Sequence, residues 1–226
     1  MAGQRTELTA NNLTVAGYLS VPATGGPGVI VLQEWWGLVP HIEAVADRFA
    51  EAGYVAFAPD LYDGQATTSP DEAGKLMMAL NIGETATKLR AVVHALLAHP
   101  ATAGHPKVGV IGFCMGGQLA LYAACENPEI GACVDFYGIH PNVKPNFANL
   151  SAPVLGLFAE KDAFVTPEAV AGLRSELDQH GKTYEFDTYP GTDHAFFNDT
   201  RPEVYHADAA YDAWDRVLRF FRANLS

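Results

Sequence analysis

The chain has 226 residues, 49% of them hydrophobic and 18% charged, a globular composition sufficient for one well-filled domain and free of disordered or collagen-like bias. The formal net charge of -12, with no basic run or stripe, argues against a nucleic-acid partner or an anionic membrane surface, and a small dianionic ligand would need a local cationic anchor. No apolar run approaches the roughly 20 residues that cross a bilayer, and residues 1–7 lack the apolar core of a secretory signal, so a cytoplasmic setting without membrane association is expected.

Taken in chain order, residues 14–21 suit a strand at a sheet edge, with apolar and small polar side chains. Residues 28–33 form a β-branched run behind the turn signal Gly25-Gly26-Pro27, as a strand buried on both faces does. Residues 41–52 then predict a helix carrying Ile42, Val45, Ala46 and Phe49 on one face, with Gly53 just past its end. Residues 54–58 are the next buried strand, stopped by Pro59 and Asp60, and residues 61–71 are loop-like. Helices are expected over 71–80 and 84–98, a strand over 107–111, and a helix over 114–125. Three further strands (131–137, 154–159, 184–189) enclose a helix over 167–180 with Pro at its first turn. A last helix over 202–223 packs through Ala210, Ala213, Trp214, Val217, Leu218 and Phe221. This alternation predicts an α/β fold of one domain, residues 1–226, with a mostly parallel sheet, right-handed crossovers and helices on both faces. Ligands in such sheets bind at the carboxyl ends of the strands.

The segment from Val108 to Gly117 holds the sharpest signal. A buried strand runs into Gly112-Phe113-Cys114-Met115-Gly116-Gly117 and a helical pattern starts at once, which is the nucleophile-elbow arrangement with Cys where Ser is commoner. The turn is so tight that side chains at 112 and 116 would clash, while residue 114 takes a strained backbone conformation. It lifts the sulfur to a helix N-terminus, where dipole and free N–H groups stabilise a thiolate. A free cysteine is ordinarily a small buried hydrophobe, and Cys125 and Cys133 fit that description. Three cysteines without CxxC spacing suggest neither a disulfide framework nor a zinc site.

His194, in the loop between the last strand and the last helix, is the expected general base. Asp162, just past the strand over 154–159, would hold it in one tautomer, with Asp193 and Glu160 as nearby rivals. The order nucleophile, acid, histidine is that of the α/β-hydrolases. The backbone N–H groups of Trp35 and Met115 are the candidate oxyanion donors. Glu34, a carboxylate ending an apolar strand beside the thiol, needs either a hydrogen-bond partner or a proton-handling role. Trp35 and Trp36 offer a flat wall that serves core packing or substrate contact equally well.

Together these segments resemble the dienelactone hydrolase family of carboxymethylenebutenolidase-like α/β-hydrolases over nearly the whole chain. The resemblance rests on Gln33-Glu34-x-x-Gly37, Pro59-Asp60-Leu61-Tyr62, Gly112-Phe113-Cys114-Met115-Gly116-Gly117, Phe158-Ala159-Glu160-Lys161-Asp162, and His194-Ala195-Phe196 followed by Asn198-Asp199-Thr200-Arg201. It implies a Cys114–Asp162–His194 triad, an acyl-thioester intermediate, and a role for Glu34 in coupling substrate binding to thiol deprotonation. It also implies the opening of a dienelactone to maleylacetate, with water as co-substrate and no metal or organic cofactor. One departure stands out: family members specialised for dienelactone carry a carboxylate-binding arginine four residues after the catalytic histidine, where this chain has Asn198. An amide cannot supply the bidentate charge-assisted pairing of an arginine. Arg201 is the nearest replacement, and a carboxylesterase or thioesterase of different acyl preference, or a silent binding fold, are the alternatives.

Overall fold

The computed structural model describes residues 3–225. Eight strands form one sheet in the order β1-β2-β4-β3-β5-β6-β7-β8. These are β1 (Gln4–Ala10), β2 (Leu13–Ser20), β3 (Gly28–Leu32), β4 (Val55–Pro59), β5 (Val108–Phe113), β6 (Ile130–Phe136), β7 (Val154–Ala159) and β8 (Tyr184–Tyr189). β1–β2 and β2–β4 pair antiparallel, and every other neighbouring pair is parallel. β3, β4, β5 and β7 are buried along their whole length, which is why their sequences are continuous apolar runs rather than alternating ones.

Six α-helices connect and cover the strands: α1 (Pro40–Glu51), α2 (Pro70–Ala79), α3 (Ile82–Ala98), α4 (Met115–Glu126), α5 (Pro167–Gln179) and α6 (Ala207–Leu225). The two faces can be told apart from neighbouring residues of β5. A Cβ on Gly109 would stand 2.9 Å from Phe221 and Leu225 of α6. The adjacent Val108 points the opposite way, beside Gly28 and Leu96 of α3. α1 shares the α6 face through the Phe49–Phe221 ring contact at 5.8 Å.

Two departures from the sequence reading have physical causes. β1 is an extra edge strand, exposed at most positions. Its polar side chains hid it, although Asn11 and Asn12, both at positive φ, make the tight turn to β2 that asparagine tolerates best. The last helix starts at Ala207, not 202. The N–H of His206 is drawn to the Phe196 carbonyl, and its Nδ1 accepts the N–H of Ala209, so His206 caps α6 and residues 202–205 turn before it.

Candidate active site

The candidate residues converge at the carboxyl ends of β3, β5, β6, β7 and β8. Cys114 follows β5 with φ 53° and ψ -120°, a backbone state that costs of order 1–3 kcal/mol in a non-glycine residue. Its neighbours leave the turn no alternative. A Cβ on Gly112 would fall 1.9 Å from the Gly116 carbonyl oxygen, and one on Gly116 would fall 2.5 Å from the Leu32 and Gln33 carbonyls. The end of β6, the segment after it and α4 hold the bend: the Cys114 N–H donates to the Phe136 carbonyl, and the Cys114 carbonyl accepts from the N–H groups of Ile139 at 3.1 Å and Gly117 at 2.9 Å. The sulfur thus sits where α4 begins, and Met115 is the first helical residue, whose N–H has no intrahelical acceptor.

His194 Nδ1 lies 2.7 Å from Asp162 Oδ2. The other carboxylate oxygen of Asp162 accepts the N–H groups of Phe164 and Val165, and its side chain is wholly buried. The rivals are placed elsewhere: Glu160 accepts the Gly191 N–H and Asp193 is exposed. Cys114 and His194 line the same cleft, and with Nδ1 taken by Asp162 the nitrogen left for the sulfur is Nε2. Burial disfavours the imidazolium, but hydrogen bonds to Asp162 and Cys114 and their negative charge outweigh it and push His194 up to about 10. By contrast, burial pushes the Cys125 thiol up to about 12 and that of Cys133 well above its ordinary value, so both remain inert packing groups.

Glu34 is 1% exposed, and Asn198 Nδ2 donates to its Oε2 at 2.8 Å. Asn198 is itself buried and its oxygen accepts from the N–H and hydroxyl of Thr200. The structure therefore turns Asn198 toward Glu34 rather than toward a ligand. Arg201 does line the cleft over Cys114, with its guanidinium 5.7 Å from the Trp36 ring and its Nε on Glu203. Trp35 and Trp36, edge to face at 5.0 Å, line the same cleft half-buried.

Two aromatic neighbours escaped the sequence reading. Tyr137, fully buried at φ 41°, packs its ring 4.9 Å from His194, and Phe164 sets its edge against the other ring contact of His194 at 5.2 Å. Tyr137 directly follows β6 and Phe164 lies in the loop after β7, and these places at strand carboxyl ends were the available signal. Among the described residues no group of three or more His, Cys, Asp or Glu stands close enough to hold a metal ion, and no helix is long and apolar enough to cross a membrane.

Strand order, crossovers and the elbow after β5 define an α/β-hydrolase fold. The family model described as "Dienelactone hydrolase family" matches residues 15–225. "Protein usf" of Aquifex pyrophilus is 39% identical, covering 99% of this chain and 100% of its own length. A "Putative carboxymethylenebutenolidase" of Aquifex aeolicus is 37% identical, covering 99% of each chain. A crystal structure titled "Putative Dienelactone Hydrolase", from Klebsiella pneumoniae, superposes with a TM-score of 0.87 at 31% identity, covering 98% of this chain and 99% of that one. The chain belongs to the dienelactone hydrolase family and is a hydrolase of that type.

Proposed function

We propose that the chain hydrolyses a carboxylic ester or lactone through a covalent acyl-enzyme on Cys114. The observation that supports this best is the strained elbow cysteine sharing a cleft with His194, whose Nδ1 is bonded to Asp162 at 2.7 Å. The α4 N-terminus and an imidazolium stabilise the thiolate. Its sulfur attacks the carbonyl carbon while the N–H groups of Trp35 and Met115 receive the developing oxyanion. When the tetrahedral species collapses, the carbon–oxygen bond to the departing group breaks and His194 supplies that group's proton. Water then attacks the thioester, gives its proton to His194, and releases the acid and a free Cys114. Glu34, held by Asn198, couples substrate entry to the proton balance of the thiol. A small-molecule substrate and water are the only partners this scheme requires.

Dienelactone, opened to maleylacetate, is the first substrate to test, alongside p-nitrophenyl acetate. Rapid mixing with the acetate should give a protein mass increase corresponding to one acetyl group on the peptide containing Cys114. Cys114→Ala should abolish both the adduct and turnover, and full activity in that variant would overturn the reading.

A further inference from the structure

The space over Cys114 has a volume of about 1050 Å³, at the upper end of the clefts that enclose drug-sized ligands. A compact lactone acid would fill only part of it. What lines the rest is apolar. Phe158, Val165 and Val170, with Ile139 and Leu173 packed against them, form a small cluster separate from the main core, and all five face this cleft. The wall comes from β7, the loop after it and the start of α5, the same segment that presents Asp162, since the Val165 N–H that fixes the wall also bonds that carboxylate. Phe164 extends the apolar surface outward beside His194, 59% exposed.

Charge points the same way. Besides the His194 imidazolium, which is paired with Asp162, two cations, Arg201 and Lys144, line the cleft, and neither is buried. Arg201 is already bonded to Glu203, and Glu34 and Glu176 line the same space. His140 accepts the Asn142 N–H on Nδ1 and meets the Met77 carbonyl with Nε2, so its ring is neutral there. With a net charge of -12 around it, an anionic substrate meets repulsion, and the one desolvated cation facing it, His194, is already paired with Asp162.

We infer that the substrate is an uncharged ester carrying a bulky apolar chain or aryl group, which lies along the Ile139–Phe158–Val165–Val170–Leu173 wall. This rests on Cys114 being the nucleophile, as proposed above. The test is kcat/KM for p-nitrophenyl acetate, butyrate, hexanoate and octanoate, for the matching alkyl acetates, and for dienelactone. Burial of each added methylene should raise kcat/KM about fourfold in one of the two ester series until the wall is covered. Leu173→Gln should cut the octanoate-to-acetate ratio, or the corresponding alkyl ratio, about tenfold. Gly172→Phe, which adds a ring at a cleft-lining position where a Cβ meets nothing within 4 Å, should do the same by occupying the space. Failure of every ester in both series to acylate Cys114 would sink the acyl-enzyme reading itself. Acylation of Cys114 with rates flat across both series, or with dienelactone exceeding every apolar ester, would overturn this inference alone.

Discussion

Asp162 and Asn198 do comparable work on different partners: each fixes a titratable side chain that has been taken out of water. For His194, burial alone would favour the neutral ring, and the carboxylate of Asp162 is among the groups that reverse that preference. Asp162→Asn should lower kcat/KM by about three to four orders of magnitude and move the alkaline limit of the pH–rate profile to lower pH. The sign for stability follows from linkage: a histidine raised from 6.5 to about 10 contributes stability fully present below pH 6.5 and lost as pH rises through 10. The variant should therefore show a flatter stability curve between these values in urea titrations. For Glu34, removing the Asn198 donor leaves a buried carboxylate short of a partner, which costs about 2 kcal/mol. Asn198→Leu should lower Tm by about 4–8 °C, and an unchanged Tm would show that the pair contributes nothing. Cys114, Asp162 and Glu34 could be picked out of the sequence because each follows an apolar strand run, and His194 because it lies in the loop between the last strand and the last helix. The link from Glu34 to Asn198 could not, since 164 positions separate them and only the fold joins them. Tyr137 was equally hidden, because a tyrosine after a strand resembles core packing and positive φ is not written in its side chain.

At the scale of the element, the bend between β5 and α4 depends on two missing side chains. Gly112→Ala would force the Gly116 carbonyl to move, and overpacking of this kind costs typically 1–3 kcal/mol. The variant should unfold at lower urea and, even where folded, should lose the reactivity of Cys114 toward iodoacetamide, because the displaced α4 start no longer meets the sulfur. Normal thiol reactivity in a folded Gly112→Ala protein would refute this account of the turn. Most elements were readable because burial on both faces imposes uninterrupted β-branched runs on β3, β4, β5 and β7, and because helical spacing survives on α1, α3 and α6. β1 was not, since an edge strand is free of that demand. The start of α6 was misplaced because its cap is a histidine, whose side chain is a less common cap than Ser, Thr, Asp or Asn.

Across the molecule as a whole, pH dependence should carry the mark of Asp135. Its carboxyl is fully buried at the end of β6, against Gly117 and Gly138, and neither oxygen finds a donor in good geometry. Burial pushes it up to about 7, only partly offset by the nearby Gly138 N–H. A carboxyl raised in this way contributes stability fully present below its ordinary value near 4 and lost as pH rises through 7. The loss amounts to at most about 4 kcal/mol. Wild-type protein should thus unfold at lower urea at pH 8 than at pH 5, while Asp135→Asn should narrow that difference to the part due to His194; parallel behaviour of the two would show that Asp135 contributes nothing. The separateness of the apolar cluster on β7 and α5 has a different consequence. Residues that fill the main core are tied to one another, so changing them disturbs the sheet and the bend beneath the sulfur. The small cluster shares only its rim residues Ile139, Leu173 and Phe186 with the main core, so exchanges at its α5 positions Val170 and Leu173 disturb the sheet less than exchanges in the main core do. Such a chain can trade one client molecule for another over generations while its reacting centre stays untouched, and a library confined to that patch would sample new preferences at little risk to folding.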